Sequence, residues 1–352
     1  MMGLAARDAL GDINMQTTET TSVPLVRHRE RTPVLMIGHG SSGTSILALL
    51  LRNYLQISFG TESQFVVHYY NRQHRYGDLR EDANLRRLVR DISRERWFRR
   101  CEKFGYHVDP EGIVQDVRVR SYRGVLDAVF GQFARSSGMV RWGDKAPEYA
   151  HHLPVLGQLF PDARYIHMVR DGRDVANSVM GRYWGAKNVF VAAQEWRKGV
   201  ELIDAFTASL PQDRLIVVRY EDLLAQPVDV FARLISFLQI DDSNGNVRRH
   251  VEQHAGEDLK TSNFDKWRRW PQKDRLRFER IAGDLLRKHG YETLICDVED
   301  RFGMAEHCYW HLHNKFWKWT YPRYWQDNAY RARLRLVDAW RTLRSKICGR
   351  SV

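Results

Sequence analysis

The chain has 352 residues, 43% of them hydrophobic and 28% charged, ordinary usage that excludes wholesale disorder and collagen-like repeats and leaves room for one large or two modest domains. Lysine and arginine number 55 against 43 acidic residues, a formal net charge of +12, which favours anionic ligands, anionic lipid or nucleic acid without choosing among them. Cys101, Cys296, Cys308 and Cys348 are too scattered for a zinc knuckle and too few for a disulfide scaffold, so a reducing, cytoplasmic setting is expected, and no stretch approaches the roughly 20 apolar residues of a membrane span.

Residues 1–31 are polar and aperiodic and end in Arg27-His28-Arg29-Glu30-Arg31, the pattern of a mobile arm. A domain over residues 32–298 follows. Val34-Leu35-Met36-Ile37 reads as a buried strand, stopped by a glycine-rich turn, after which Ile46, Leu47, Leu50 and Leu51 fall on one face of a helix. The same order returns at Tyr165 to Val169, where Asp171-Gly172 turns and Val175 and Val179 open a helix, and again at Leu215 to Val218. Pro227 suits a helix start ahead of Phe231, Leu234, Ile235 and Leu238, and a last stripe, Phe278, Ile281, Leu285 and Leu286, stops at Gly290. Strands alternating with helices predict an α/β fold: a P-loop-like parallel sheet flanked by helices, with ligands beyond the carboxyl ends of the strands.

Two regions break the alternation. Residues 68–140 are dense in Arg, Tyr and His, with helical patches but few apolar stripes, and are expected to form an inserted helical cap on the acceptor side; a solvated cap fits as well as a binding surface. Residues 299–352 form a helical basic extension holding Trp310, Trp317, Trp319, Trp325 and Trp340. Aromatics beside basic residues serve both ordinary packing and peripheral contact with a membrane surface.

The turn Gly38-His39-Gly40-Ser41-Ser42-Gly43-Thr44-Ser45 has nearly the spacing of a phosphate loop, G-x-x-x-x-G-K-[ST], with Thr44 in the place of the lysine. Such a loop offers backbone N–H groups and a helix N-terminus to an anion, which needs only small residues. The missing lysine argues against kinase or NTPase chemistry. In Arg170-Asp171-Gly172-Arg173-Asp174-Val175-Ala176-Asn177-Ser178, Arg170 and Ser178 suit a phosphate monoester, a planar fork of donors with a hydroxyl beside it; pairing of Arg170 with Asp174 in a capping network is the alternative.

Gly-x-x-x-Ser-Gly-Thr after a first strand, Arg-Asp-Gly-Arg-Asp-Val-x-x-Ser after a later one, then Tyr220-Glu221-Asp222-Leu223 and Lys266-Trp267-Arg268 together resemble the sulfotransferases that use 3′-phosphoadenosine 5′-phosphosulfate (PAPS). The resemblance spans about Pro33 to Tyr291. It implies that Gly40, Ser41, Ser42, Gly43, Thr44 and Ser45 cradle the phosphosulfate, that Arg170 and Ser178 hold the 3′-phosphate, that Tyr220 lies near the adenine, and that Lys266 and Arg268 close over the 3′-phosphate end. The family commonly has Lys or Arg where this chain has Ser41. Lys145, in Asp144-Lys145-Ala146-Pro147, resembles the Asp-Lys-x-Pro lysine of carbohydrate and tyrosylprotein sulfotransferases and is the implied substitute, its alternative being an exposed lysine before a helix that Pro147 starts.

A hydroxyl acceptor must lose its proton as the new bond forms. Glu62, in Gly60-Thr61-Glu62-Ser63, stands at the distance from the loop at which the tyrosylprotein group carries its base. His39, His68 and His167 are weaker rivals, a histidine inside a strand being usually a core residue. The expected reaction is in-line sulfuryl transfer from PAPS, driven by positioning and electrostatics, with no metal and no nucleic-acid partner. The charge surplus and the Asp-Lys-x-Pro motif lean toward a glycan or glycolipid acceptor; a tyrosine-bearing protein or small metabolite stays open. A P-loop kinase-like nucleotide-binding protein and a catalytically inactive sulfotransferase fold are the rival readings.

Overall fold

The computed structural model describes residues 26–259, 264–295, 302–322 and 325. Five strands, β1 (Val34–Gly38), β2 (Ile57–Phe59), β3 (Arg141–Lys145), β4 (Arg164–Val169) and β5 (Leu215–Arg219), form one parallel sheet in the order β2-β3-β1-β4-β5. The longer helices are α1 (Thr44–Leu55), α2 (Asp82–Ile92), α3 (Tyr122–Ser136), α4 (Gly172–Met180), α5 (Val189–Thr207), α6 (Pro227–Phe237), α7 (Asn246–Asp258), α8 (Gln272–Lys288) and α9 (Met304–Trp319).

The apolar run of β1 is continuous because both faces of the sheet are covered. Val34 and Met36 join Leu47, Leu50 and Leu51 of α1 and Phe231 and Leu234 of α6 in one core, while Leu35 and Ile37 join α2, α3 and Tyr165 in another. A third core of Val175, Phe190, Trp196, Phe278 and Ile281 packs α4, α5 and α8 together. Gly290, with φ of +79°, follows α8 as the sequence pattern predicts.

The structure differs from the sequence reading in three places. Val26 is buried and Arg27–His28 pairs antiparallel with Ile240–Asp241, so the segment just before Pro33 belongs to the folded body. Residues 68–140 are not a solvated cap but a packed layer on the sheet. Leu85, Leu88, Val89 and Ile92 give α2 a buried stripe, with Arg86, Arg87 and Arg90 interleaved around it. Trp97, Phe130 and Phe133 carry this layer to the sheet, where Phe130 stacks on Trp142 of β3 at 4.7 Å. Third, Arg-Trp-Gly-Asp-Lys is a strand without an apolar run. β3 is buried because its polar groups are matched: Arg141 donates to the carbonyls of Thr32 and Leu238. Gly143 is obligatory there, since a Cβ would sit 2.4 Å from the Phe59 ring.

Register settles where the loops emerge. Met36 stands opposite Lys145 and Gly38 opposite Met168, so the segments after β1, β3 and β4 leave the sheet side by side at its carboxyl edge.

Candidate active site

The turn after β1 bends through two left-handed residues, Ser41 at φ 69° and Gly43 at φ 95°. Gly43 precedes α1, whose first turn has no side-chain cap and no acidic residue. The N–H groups of Ile46 and Leu47 return to the Gly43 carbonyl, whereas Ser42 N–H closes the turn onto His39. The turn thus joins a helix N-terminus to amides curled around an open side; a Cβ on Gly40 would meet nothing within 4 Å. Tyr220, buried at the start of a short helix after β5, packs its ring so closely on Gly43 that a Cβ would lie 2.3 Å from it.

At the mouth of this turn three sequence candidates meet. Lys145 Nζ donates to Ser45 Oγ at 3.0 Å and pairs with Glu62 Oε1 at 3.0 Å. The lysine side chain is 10% exposed and the glutamate 29%, so the acid keeps a solvent-facing side while the cation is enclosed. Lys145 ends β3 just ahead of the 3₁₀ turn that Pro147 starts, but it is enclosed rather than exposed, and its ammonium reaches Ser45 in the first turn of α1. It places a positive charge beside the first turn of α1.

Behind this pair lies a buried cluster that the sequence reading missed. Asp144 accepts hydrogen bonds from Ser63 Oγ and Tyr149 Oη, and the two hydroxyls are 3.0 Å apart. Burial pushes the Asp144 carboxyl up to about 6, against the pull of those two donors. Each member adjoins a site residue or its turn: Ser63 follows Glu62, Asp144 precedes Lys145, and Tyr149 sits in the 3₁₀ turn Pro147–His151. The cluster therefore fixes the backbone on which both charged groups stand. Its signal in the sequence was only the Asp of Asp-Lys-x-Pro; the Ser63 partner is 81 residues away. Trp97 adds a tie from the helical layer, donating from Nε1 to the Thr61 carbonyl at 2.9 Å.

On the other side of the turn, Arg170 Nη1 donates to the Ser41 carbonyl at 3.0 Å and its guanidinium lies 4.3 Å from the Tyr220 ring centroid. Asp174 feels the Arg170 charge, and it also has partners outside this helix. Its carboxylate accepts the backbone N–H groups of Asp265 at 2.6 Å and Trp267 at 3.2 Å, while burial, opposed by the Arg170 charge, raises its affinity for a proton. Trp267 in turn lies against Arg173, 3.5 Å from guanidinium carbon to ring centroid, and Arg173 is itself paired with Asp171 and Glu279. So the Lys266-Trp267-Arg268 segment is held against the opening of α4, with Arg268 paired to Asp265 on the surface. Ser178 lies half-buried one helical turn beyond Asp174 on the same face.

The three histidines separate by environment. His39 lies half-buried beneath the turn, bonded to the Gly40 carbonyl and packed on Gly199 of α5, and desolvation lowers its basicity. His167 is a core residue of β4, pushed down to about 4 by burial. His68 is exposed beside Arg72 on the helical layer.

One cavity, of about 890 Å³, opens at the amino ends of the strands, with Pro33, Trp142 and Asp162 in its wall. It contains none of the candidate residues, and ligands of doubly wound sheets bind at the opposite edge. Among the described residues no His, Cys, Asp and Glu cluster of three or more is arranged to hold a metal ion, and no helix is long and apolar enough to cross a membrane.

Comparison with known proteins gives the family. Residues 33–244 match the family model described as "Sulfotransferase family". A protein-tyrosine sulfotransferase A of Caenorhabditis elegans is 24% identical over 278 residues, covering 75% of this chain and 64% of that protein. The protein-tyrosine sulfotransferase of Drosophila melanogaster is 22% identical over 235 residues, 60% of this chain and 44% of that protein. The chain thus spans less than two thirds of the length of either relative. The sulfotransferase domain of the curacin biosynthetic pathway superposes with a TM-score of 0.45 at 20% identity, over 75% of this chain and all of that domain. With a glycine turn feeding α1, a lysine and a glutamate at its mouth, and a family model that matches most of the sheet, the chain belongs to the sulfotransferase family.

Proposed function

We propose that this protein transfers a sulfuryl group from PAPS to a hydroxyl, and that the acceptor is a tyrosine of a protein. The observation that carries the reading is the meeting of Ser45, Lys145 and Glu62 at the N-terminus of α1. The donor set suits a phosphosulfate: uncapped amides, hydroxyls of Ser42, Thr44 and Ser45, and an enclosed ammonium, every one a donor or a cation. Bound there, PAPS supplies an activated sulfuryl group and leaves as adenosine 3′,5′-bisphosphate.

The rest is the work of the chain. The amides of Thr44 and Ser45 and the Lys145 ammonium hold negative charge at the mouth of the turn. Lys145, fixed by Asp144 behind it, donates hydrogen bonds and stabilises charge that develops there. Glu62, the more exposed partner, accepts the proton of the attacking hydroxyl at Oε1 or Oε2. Arg170, with Ser178 and the Lys266–Arg268 segment, is assigned to the 3′-phosphate; Tyr220 closes the same end.

The acceptor reading rests on the names of the matched relatives, which are protein-tyrosine sulfotransferases. A phenol with pKa near 10 also gives up its proton to a carboxylate more readily than a sugar alcohol does. Glycan and glycolipid hydroxyls, toward which the sequence leaned, have no such support.

Thermal unfolding with adenosine 3′,5′-bisphosphate, alongside ATP with Mg²⁺, tests the nucleotide site. At a hundredfold excess over the dissociation constant a specific ligand stabilises the fold by about 2.7 kcal/mol, a few degrees in Tm. Stabilisation by the bisphosphate alone is expected. Transfer of labelled sulfate from PAPS to a tyrosine peptide tests the chemistry, and Glu62→Gln should lower turnover by about 10² or more while leaving the thermal shift intact. Stabilisation without transfer to any hydroxyl would make this an inactive member of the family; stabilisation by ATP alone would discard the reading.

A further inference from the structure

Of the three candidate histidines, His39 is the one built into the phosphate turn, and both of its ring nitrogens face carbonyl oxygens. Nδ1 lies 2.8 Å from the Gly40 carbonyl inside the turn. The other edge of the ring lies on α5, where a Cβ on Gly199 would meet Cδ2 at 2.7 Å and Nε2 at 3.6 Å, and the Glu195 carbonyl, one helical turn back, bonds to the ring there. Glycine is ordinarily unfavourable inside a helix; at 199 its missing side chain lets the imidazole reach the helix backbone. A carbonyl oxygen only accepts, and a neutral imidazole carries one N–H, so it satisfies one of the two and turns a lone pair on the other. The imidazolium, with an N–H on each nitrogen, satisfies both.

In the protein alone, desolvation works against that second proton. The groups around the ring do not offset it. His151, in the 3₁₀ turn Pro147–His151, bears on it only as another cation when protonated. Glu195 gives its carbonyl, while its carboxylate interacts with His311 and Lys318 of α9. Arg170 is bonded to the Ser41 carbonyl, and the Lys145 charge at the mouth is matched by Glu62. An anion seated against the turn reverses the balance, because nearby negative charge favours the protonated ring. Histidine is the side chain that makes this change near neutral pH.

We propose that His39 takes up a proton from solvent at Nε2 when the phosphosulfate, or the bisphosphate product, seats in the turn, so that the imidazolium ties Gly40 of the turn to Glu195 of α5 and adds a positive charge beneath the ligand. His39 is thereby a positioning residue: it acts through the Gly40 carbonyl and through its charge, without touching the sulfuryl group. This presupposes the nucleotide site described above and adds proton uptake to it. Since the bound form holds the extra proton, affinity rises as pH falls, by up to about tenfold per pH unit between the proton affinities of bound and free protein.

The test is calorimetric titration of the full chain with adenosine 3′,5′-bisphosphate at several pH values between about 6 and 8, in two buffers of different ionisation enthalpy, which counts the protons exchanged. Comparison with His39→Asn, whose amide can still donate to the Gly40 carbonyl but does not titrate, removes the ligand's own phosphate ionisation from the count. The unaltered chain should take up more protons than this variant, approaching about one, and its affinity should climb more steeply as pH falls; His151→Gln should behave like the unaltered chain. Should His39→Asn fail to fold, nitrogen-15 spectra of the imidazole rings in the unaltered chain carry the test: one ring should pass from neutral to doubly protonated as the bisphosphate is added at constant pH. Equal uptake by the unaltered chain and His39→Asn, an uptake lost with His151 instead, or no ring changing state would overturn the proposal and leave nucleotide binding standing. Failure of the bisphosphate to bind at all would overturn the nucleotide site and the proposal together.

Discussion

Ser63 never touches the mouth of the site, yet its hydroxyl decides how Glu62 is presented. It donates a hydrogen bond to the Asp144 carboxylate, both side chains being buried, so the turn that carries Glu62 is bolted to the strand that carries Lys145. Removing that hydroxyl leaves Asp144 with Tyr149 as its remaining side-chain donor and costs about 1–3 kcal/mol for a buried acceptor left short. Ser63→Ala should lower Tm by several degrees and reduce kcat, with stabilisation by adenosine 3′,5′-bisphosphate retained, because the phosphate turn has its own supports. Equal losses in nucleotide binding and in turnover would show a general softening instead. This cluster was illegible in the sequence for a plain reason: Ser and Tyr carry no periodic signal, and their partner is paired through the sheet. By contrast the glycine turn and Arg170 were legible because strand, turn and helix follow one another within a dozen residues, and Glu62 and Lys145 because the family resemblance pointed to them.

At the scale of elements, the apolar runs of β1, β4 and β5 announced themselves, while β3 and the helical layer did not. Hydrophobic patterning detects burial paid for by apolar area alone. β3 is buried by matching Arg141 and Asp144 to internal partners, and α2 hides a good stripe among arginines that point outward. The junction of α4 with Lys266–Arg269 is another case of matching. Asp174 receives two backbone N–H groups from that segment, and Trp267 lies on Arg173, which is already held by two carboxylates. Trp267→Ala removes a buried ring, a class of change that costs about 3–5 kcal/mol, and frees the segment assigned to the 3′-phosphate. The expected result is a lower Tm together with an affinity for the bisphosphate reduced by tenfold or more, measured by calorimetric titration below the new midpoint. Unchanged affinity would detach Lys266 and Arg268 from the nucleotide.

Across the whole molecule, buried titratable groups tie stability to pH in both senses. His167 in β4 is held down to about 4 by burial, against about 6.5 when unfolded. Below 6.5 the unfolded chain takes up a proton that the native strand refuses, so this contribution is intact above 6.5 and lost as pH falls to about 4. Asp144, pushed up to about 6, runs the other way: the native fold keeps a proton that the unfolded chain releases, so its contribution is lost as pH rises through 6. Burial also raises Glu221, and a bare pH scan therefore blends opposing groups. A difference isolates one of them. Relative to His167→Gln, the unaltered chain should lose about 3 kcal/mol more between pH 6.5 and 4, measured by urea denaturation at several pH values; parallel curves would mean that His167 is not a protonation-sensitive core residue.

The bond from Trp97 to the Thr61 carbonyl has a consequence for how the molecule comes apart. It ties the turn bearing Glu62 to the helical layer as well as to β3, whereas the phosphate turn and Arg170 are rooted in the sheet and in the α4, α5 and α8 core. Native proteins open in cooperative blocks of unequal stability. If the helical layer is the weaker block, warming will produce a species that still captures the nucleotide but has lost its base, with inactivation preceding release of ligand. Hydrogen exchange read at Thr61 to Phe65 and at Thr44 to Leu47 on the same sample would order the two events.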